Sequence, residues 1–263
     1  MGRPLKRVLL VNDDGIDAAG LTCLEAVAEQ LADEVWVVAP EVDQSGSSHS
    51  VTLHEPLRFR QLGKRRFAVR GTPSDCVIMA SQYLMADMRP DLVLSGINRG
   101  DNIADSVAYS GTIGAAMTAL VMGLPAMALS QAYTDGQPVT WQTALRHGPG
   151  VIAALLDMPE REHVCFSINF PDVNPQAVTG VRVASQGRGS IVGVSVEERL
   201  DTRGKTYFWI QLHHDRQPAR ARGNDVDILH RGAVAVCPLR LERDDGNLED
   251  ALRERLAPLN RTD

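Results

Sequence analysis

The sequence has few cysteines, and their spacing does not suit a zinc site. Four are present and scattered, at Cys23, Cys76, Cys165 and Cys237, without a CxxC or Cys/His pattern. A reduced cytoplasm is the simplest environment for such a chain. The first residues also lack the apolar core of a secretory signal peptide, and Lys6 stands where a myristoylation signal requires Ser or Thr. We therefore expect a cytoplasmic protein with neither export nor a lipid anchor.

The chain also lacks a strong net charge and a convincing transmembrane segment. Its formal net charge is -6, so we expect no electrostatic field that gathers nucleic acid and no stable nucleic-acid partner. Residues 106–134 carry no charge and are long enough to cross a bilayer. Their hydroxyl groups, glycines and alanines make this stretch only weakly apolar, which is typical of a buried helix running into a buried strand. No membrane association is expected.

Short apolar runs alternate with segments of helical spacing along the 263 residues, of which 44% are hydrophobic. The apolar runs cover residues 7–11, 35–39, 91–95, 125–130 and 163–169. Helical spacing follows over residues 21–31 and over about 111–122. Repeated alternation of strand and helix predicts an α/β fold with a mostly parallel sheet and helices on both faces. In such sheets, ligands bind at the carboxyl ends of the strands.

Two segments depart from this alternation and predict antiparallel hairpins. One lies within residues 50–69, and the other forms a protruding arm at about 185–212, where apolar strands pair around Arg203-Gly204. A C-terminal helix is expected at about 247–259. Because there is no internal repeat or clear linker, residues 1–263 are interpreted as a single domain with that arm.

Two adjacent carboxylates, Asp13 and Asp14, follow the first apolar run and precede Gly15. Like charges at a strand end repel each other and raise the pKa of one or both groups unless a cation is present. Mg²⁺ or Mn²⁺ suits such oxygen ligands, and Gly15 lets the backbone turn closely around the site. Alternatively, Asp14 or Asp17 caps the following helix by accepting backbone N–H groups. These residues alone leave both interpretations open.

A second polar loop, residues 44–50, follows the next predicted strand. It is rich in hydroxyl groups and contains Gly46. Hydroxyls beside a glycine can ligate a hard cation or hold phosphate oxygens. The same composition also occurs in ordinary flexible loops.

A third polar segment begins at Ser95 and contains Asn98, which can serve as a neutral metal ligand. Ser110, Gly111 and Thr112 then open a helix, whose free N–H groups, hydroxyls and positive dipole end suit a phosphate. Alternatively, Ser110 or Thr112 only caps that helix. The segment is neither a P-loop, for want of GxxxxGK, nor a dinucleotide fingerprint, for want of GxGxxG.

Five sequence blocks, taken in order, resemble the signatures of the SurE (survival protein E) family of nucleotidases. They are Val11-Asn-Asp-Asp-Gly-Ile, Ala39-Pro with Gln44-Ser-Gly-Ser-Ser, Gly71-Thr-Pro-Ser-Asp-Cys-Val, Pro90-Asp-Leu-Val-Leu-Ser-Gly-Ile-Asn and Tyr109-Ser-Gly-Thr-Ile-Gly-Ala-Ala. The resemblance covers the first half of the chain densely. It continues more loosely through Asn169-Phe-Pro, Arg203-Gly, Tyr207-Phe-Trp and the segment from Gly232 to Pro238.

The resemblance implies a Rossmann-like fold and hydrolysis of phosphate from nucleoside 5′- or 3′-monophosphates. It also implies one divalent cation per subunit, most simply Mg²⁺ or Mn²⁺, and a homodimer or homotetramer formed through the C-terminal arm. By motif position, the metal ligands are Asp13, Asp14, Ser45 and Asn98. The phosphate-site residues are Asn102, Ser110, Gly111 and Thr112. The chain departs from the family where Ala104 and Ser106 replace a usual glycine and aspartate.

The expected reaction is attack of water on phosphorus, with Asp13 or Asp14 orienting or deprotonating that water. A covalent aspartyl phosphate is the alternative, since a carboxylate can act as the nucleophile. Two rival classes share single features with the sequence. A receiver-like Mg²⁺-binding signalling module would need an aspartate at Ser95, and a haloacid-dehalogenase-type phosphatase would need Asp-x-Asp in place of Asp13-Asp14.

Overall fold

Nine strands form one sheet in the computed structural model, which describes residues 3–214, 222–244 and 246–259. The strands of the described chain are β1 (Leu5–Val11), β2 (Ala32–Pro40), β3 (Arg58–Gly63), β4 (Arg66–Arg70), β5 (Leu92–Arg99), β6 (Ala126–Gln131), β7 (Cys165–Phe170), β8 (Val181–Val183), β9 (Ile191–Leu200), β10 (Thr206–His214) and β11 (Val234–Leu239). The α-helices are α1 (Ala19–Ala28), α2 (Pro73–Met79), α3 (Gly111–Val121), α4 (Trp141–Leu155), α5 (Asp225–His230) and α6 (Glu249–Leu256).

The sheet order is β3-β4-β2-β1-β5-β6-β7-β11-β8. The six central strands from β4 to β7 run parallel to their neighbours, while β3 pairs antiparallel with β4 and β11 pairs antiparallel with β7. This confirms the predicted mostly parallel sheet. The hairpin expected within residues 50–69 is β3–β4.

Alternate side chains of the central strands enter two separate cores. In β1, Val8 and Leu10 are fully buried on the face that also receives α1 and α4. Leu9 and Val11 are fully buried on the opposite face, against α2 and α3. A strand buried on both faces reads as a continuous apolar run, which is why β1 was recognisable in the sequence. The helices therefore cover both faces, as predicted.

The uncharged residues 106–134 contain α3 and then β6, so the expectation of a buried helix followed by a buried strand is confirmed. Among the residues that the structure describes, none of the helices is long and apolar enough to cross a membrane. The four cysteines are buried and unpaired.

The predicted arm is an antiparallel hairpin of β9 and β10, with Tyr207 opposite Arg199 and Ile210 opposite Val196. Its first strand begins at Ile191, which is later than the expected 185, because Ser185 instead forms a bridge with Asn224. The C-terminal helix α6 is shorter than expected and is flanked by single 3₁₀ turns at Gly246–Leu248 and Ala257–Leu259. The division of the chain into a single domain stays a prediction.

Helix α2 begins with a capping box that also anchors the hydroxyl-rich loop. Pro73 occupies the first turn, the Thr72 hydroxyl accepts the backbone N–H of Asp75, and the Asp75 carboxylate accepts the N–H of Thr72. The same fully buried carboxylate accepts both the backbone N–H and the hydroxyl of Thr52, at 2.9 and 2.6 Å. One aspartate therefore fastens the end of that loop to the start of α2.

We predict that Asp75→Ala lowers the free energy of unfolding by about 3 kcal/mol, because it removes a helix cap and leaves buried donors without an acceptor. Urea denaturation followed by circular dichroism measures the change. Asp17→Ala is the matched control, since Asp17 is exposed, and should change the stability by less than about 0.5 kcal/mol. Equal effects of the two substitutions would contradict this role of Asp75.

Candidate active site

The two adjacent carboxylates lie immediately after β1, at the carboxyl edge of the sheet. They do not cap the helix that follows. The residue preceding α1 is Ala18, and within the described part of the chain no side-chain capping hydrogen bond is made to that helix start. The capping alternative for Asp14 or Asp17 is therefore wrong, and both carboxylates of the pair are available for other contacts.

Asp13 packs against the first turn of α3. The Thr112 hydroxyl donates to Asp13 Oδ1 at 2.6 Å. A Cβ atom on Gly111 would lie 2.8 Å from the Asp13 Cβ and 2.9 Å from its Oδ2, so only glycine permits this approach. Asp13 is 3% exposed. The positive end of a helix dipole thus faces a buried carboxylate.

Burial raises the pKa of Asp13 from 3.8 to about 6, the Thr112 hydrogen bond opposes that rise, and the charge of Asp14 adds to it. The helix end and the hydroxyl therefore do not fully offset the loss of water around this charge. A divalent cation next to Asp13 would offset the rest of this lost solvation, because opposite charge favours the ionised carboxylate.

Asp14 joins the end of β1 to the end of β5. Its Oδ2 accepts the backbone N–H of Arg99 at 3.1 Å. Burial raises the pKa of Asp14, the hydrogen bond from Arg99 lowers it, and the nearby charge of Asp43 raises it again. Negative charge consequently accumulates from three aspartates on one edge of the sheet.

The hydroxyl-rich loop is fastened to this edge by backbone hydrogen bonds. Gln44 donates its N–H to the Asp13 carbonyl at 2.8 Å, and Ser45 donates its N–H to Asp43 Oδ1 at 2.7 Å. The Ser45 residue itself is exposed. Ser47 lies deeper, 2.9 Å from the position of a Cβ on Gly111, and its buried hydroxyl has no hydrogen-bond partner among the described residues. The loop therefore wraps around Asp13 and the start of α3.

Asn98 belongs to a strand, and the prediction that β5 ends at Ser95 was wrong. Pairing with β6 resumes after an irregularity, with Asn98 opposite Ser130 and Arg99 opposite Gln131. The intervening Ile97 is fully buried, which holds the strand in the sheet despite its polar sequence. The Asn98 amide donates to the Gly100 carbonyl at 2.9 Å, an arrangement that directs its Nδ2 into the following turn.

The four predicted phosphate-site residues differ in their surroundings. Gly111 and Thr112 contact Asp13 directly. Ser110 caps α3, because its Oγ accepts the N–H of Ile113 at 3.1 Å, so the capping interpretation holds for Ser110 and not for the Thr112 side chain. A capping hydroxyl still carries a proton that it can donate to a ligand.

Asn102 is held by the neighbouring strands. Its side-chain amide donates to Ser130 Oγ at 2.9 Å, and its backbone N–H donates to Asn169 Oδ1 at 2.8 Å. Asn169 was not singled out as a site residue from the sequence. Its only signal was its place in one of the looser blocks of family resemblance, Asn169-Phe-Pro.

The loop between Asn102 and α3 is fixed to the base of the arm by two aspartates that sequence reasoning missed. Asp225 accepts the N–H of Ala104 at 2.9 Å and that of Gly187 at 2.8 Å. Asp105 accepts the N–H of Gly189 at 2.7 Å. Burial raises the pKa of Asp225, and its backbone hydrogen bonds oppose that rise. Ala104 adopts φ +49°, a left-handed conformation that explains the glycine usual in the family at this position.

The candidate metal ligands at this edge of the sheet are all oxygen donors, which suit a hard cation and do not suit zinc. Among the described residues, no cluster of three or more His, Cys, Asp or Glu side chains is arranged to hold a metal ion. A cation beside Asp13 and Asp14 would therefore need neutral oxygen atoms as further ligands, and the hydroxyl of Ser45 and the amide of Asn98 are of that type.

The comparisons with known proteins agree on one family. Residues 8–192 match the family model described as Survival protein SurE. The chain is 53% identical over 247 residues to 5'-nucleotidase SurE 1 of Burkholderia lata, covering 92% of this chain and 93% of that protein. It is 47% identical to 5'-nucleotidase SurE of Rhodopseudomonas palustris, covering 95% and 99%.

A solved structure extends the likeness to the fold. The crystal structure of the SurE protein from Aquifex aeolicus has a TM-score of 0.80 and 30% sequence identity, and the match covers 95% of this chain and 99% of that one.

The contact of Gly111 with Asp13 predicts opposite effects of the same substitution at two helical glycines. Gly111→Ala should lower the free energy of unfolding by about 2 kcal/mol, because the added methyl group collides with Asp13. Gly150→Ala in α4, where a Cβ meets nothing within 4 Å, should raise it by up to about 1 kcal/mol through helix propensity. Chemical denaturation of both variants tests this. Stabilisation by both substitutions would show that α3 does not pack on Asp13 as described.

Proposed function

Since this chain belongs to the SurE family, we propose that it is a metal-dependent phosphomonoesterase that hydrolyses nucleoside monophosphates to nucleoside and inorganic phosphate. The names of its relatives, 5'-nucleotidase SurE 1 and 5'-nucleotidase SurE, support this activity. The structural observation that carries the proposal is the buried carboxylate of Asp13, which lies between Asp14 and the positive end of α3.

In this proposal one divalent cation per subunit, Mg²⁺ or Mn²⁺, is held by four oxygen ligands. These are the side chains of Asp13, Asp14, Ser45 and Asn98. The bound cation supplies charge neutralisation for a phosphate dianion that would otherwise repel its nucleophile. The oxygen-only donor set and the excess of carboxylates at this edge support the assignment.

The other groups of the site bind the phosphate or transfer a proton. The first turn of α3 offers the backbone N–H of Gly111 and the hydroxyl of Ser110 to the phosphate oxygens, with Asn102 as a further donor. Asp13 or Asp14 orients the attacking water or accepts its proton. The Thr112 hydroxyl fixes the direction of Asp13 through its 2.6 Å hydrogen bond.

Two observations favour this function over the rival classes. A receiver-like module would need an accessible phosphoacceptor at Ser95, and the Ser95 residue is fully buried. The haloacid-dehalogenase class needs two carboxylates separated by one residue, which would place them on the same side of the chain. Here Asp13 and Asp14 are adjacent and diverge, one toward α3 and the other toward Arg99.

We also propose that the protein is cytoplasmic and forms a homodimer or homotetramer through the arm. One face of the arm carries exposed apolar side chains on both strands, at Val192, Val194, Val196, Phe208 and Ile210. Such a contiguous apolar surface is typical of a protein interface.

The test of the function is phosphate release from nucleoside monophosphates and from a generic aryl phosphate, with Mg²⁺ or Mn²⁺ and with a chelator. We expect the chelator to abolish hydrolysis and Asp14→Ala to lower kcat/KM by at least about 100-fold. Asp17→Ala, a surface aspartate of the same loop, should retain the wild-type rate. Hydrolysis that neither the chelator nor Asp14→Ala affects would refute the proposal.

Trapping of a phosphorylated protein during turnover distinguishes the two chemical routes. Attack of water on phosphorus should proceed without a phosphorylated protein that can be trapped by acid quenching. Stoichiometric phospho-aspartate at Asp13 or Asp14 would replace this route with covalent catalysis.

A further inference from the structure

The hydroxyl group of Ser47 is buried beside the proposed phosphate site, yet it has no hydrogen-bond partner among the described residues. The next residue differs in this respect, because the Ser48 hydroxyl donates to the Ala108 carbonyl at 2.7 Å. We propose that Ser47 is a further phosphate-binding residue, whose hydroxyl donates a hydrogen bond to a phosphoryl oxygen of the substrate. This inference rests on the proposed phosphomonoesterase function and adds a donor from the hydroxyl-rich loop to those at the start of α3.

The Ser47 hydroxyl lies against the first residue of α3. A Cβ atom built on Gly111 would be 2.9 Å from Ser47 Oγ and 2.9 Å from Asp13 Oδ2. Gly111 therefore lies between the hydroxyl and the buried carboxylate. It is also the residue whose backbone N–H is proposed to hold a phosphate oxygen, so a phosphate in that position would be a neighbour of the Ser47 side chain.

The backbone on both sides of Ser47 has an unusual conformation. Gly46 has φ +80° and Ser48 has φ +52°. A positive φ is ordinary for glycine but unfavourable for serine. Such strain persists only where the surrounding structure holds it, and it is concentrated at functional sites. The turn that directs Ser47 toward α3 is therefore maintained against a local energetic cost.

Contacts with α3 and with β1 hold this turn in place. Ser48 donates its backbone N–H to the Tyr109 carbonyl at 3.1 Å. A Cβ on Gly114 would lie 2.0 Å from the Ser48 carbonyl oxygen, so the loop and the helix are in direct backbone contact. At the other end of the loop, Gln44 donates to the Asp13 carbonyl at 2.8 Å. Ser47 is thus positioned before a ligand arrives, which lowers the entropic cost of binding one.

A ligand could gain the Ser47 hydroxyl at little cost to the protein. Rotation about χ1 moves a serine hydroxyl between staggered positions. In its present position, Ser47 Oγ has no hydrogen bond to a described residue that such a rotation would break. The residue as a whole is only partly buried, so its side chain is not enclosed on every side. A phosphate oxygen is a charged acceptor, and hydrogen bonds to charged groups are the stronger class.

The first test measures stability without a ligand. Ser47→Ala removes a buried hydroxyl that has no partner within the described chain, so the midpoint of urea denaturation should stay the same or rise. Ser48→Ala is the matched control, because it removes a hydroxyl that is bonded to the Ala108 carbonyl, and its midpoint should fall. A midpoint that falls as far for Ser47→Ala as for Ser48→Ala would show a structural role and overturn the inference.

The second test measures recognition of the phosphate group. Ser47→Ala should raise KM about tenfold for both adenosine 5′-monophosphate and p-nitrophenyl phosphate, and it should keep kcat within about twofold of wild type. The inhibition constant of inorganic phosphate should rise by the same factor, because all three compounds share the phosphate group. Ser50→Ala, an exposed serine of the same loop, should leave these constants unchanged. An unchanged inhibition constant, or an effect confined to the nucleotide, would overturn the inference.

Metal binding distinguishes a phosphate donor from a metal ligand. Mn²⁺ titrated into the Ser47→Ala protein and followed by electron paramagnetic resonance should bind as it does to wild type, because the four proposed ligands are intact. A large loss of Mn²⁺ affinity would show that Ser47 acts through the cation and would overturn the inference.

The inference and the proposed function can fail separately. If wild type hydrolyses both esters and Ser47→Ala has wild-type constants, the inference is wrong and the phosphomonoesterase activity stands. If wild type hydrolyses neither ester with Mg²⁺ or Mn²⁺, the proposed function fails. Calorimetric titration of inorganic phosphate into the Mn²⁺-loaded proteins then still tests Ser47. An affinity about tenfold weaker for Ser47→Ala supports the inference, whereas equal affinities, or no binding by either protein, overturn it.

Discussion

The contact of Asp13 with the first turn of α3 is the interaction on which the rest of the site depends. It requires glycine at position 111, because any Cβ there would overlap Asp13. The dipole of a helix end stabilises a nearby charge by about 2 kcal/mol at most, whereas an ion removed from water loses several kcal/mol of solvation. The loss of solvation on burial therefore exceeds the stabilisation by the helix dipole. As a result, the pKa of Asp13 is raised to about 6. A cation shared with Asp14, as proposed, would let this carboxylate remain ionised inside the protein.

The topology of the sheet places the other groups around this contact. Strands β1 and β5 are parallel neighbours, so Asp14 and Arg99 meet at the same edge and form a hydrogen bond. The loop after β2 reaches the same edge and bonds to the backbone of Asp13 through Gln44. Beyond β5, the loop that leads to α3 is held by Asp225, which ties it to the base of the arm. Buried hydrogen bonds to one carboxylate therefore join this loop to the base of the arm.

Much of the fold was predictable because its signals are local. The central strands are buried on both faces and read as apolar runs, and α3 begins at a Ser-Gly-Thr sequence that caps a helix. The features that could not be predicted from the sequence depend on long-range contacts. The continuation of β5 through Asn98 requires pairing with Ser130, and the two aspartates that fix the loop, Asp105 and Asp225, have partners more than 80 residues away. The pairing of Arg99 with Tyr133 likewise joins the end of β5 to the loop after β6, which no local pattern connects.

Direct measurement of metal binding tests the central claim most sharply. Mn²⁺ titrated into the protein and followed by electron paramagnetic resonance should show one bound ion per chain. Asp13→Asn removes the buried charge while keeping the size of the side chain, and it should weaken this binding by at least about 100-fold. Asp17→Asn, a surface carboxylate four residues along the chain, should leave it unchanged. One tightly bound Mn²⁺ in the Asp13→Asn protein, or none in the wild type, would contradict the account.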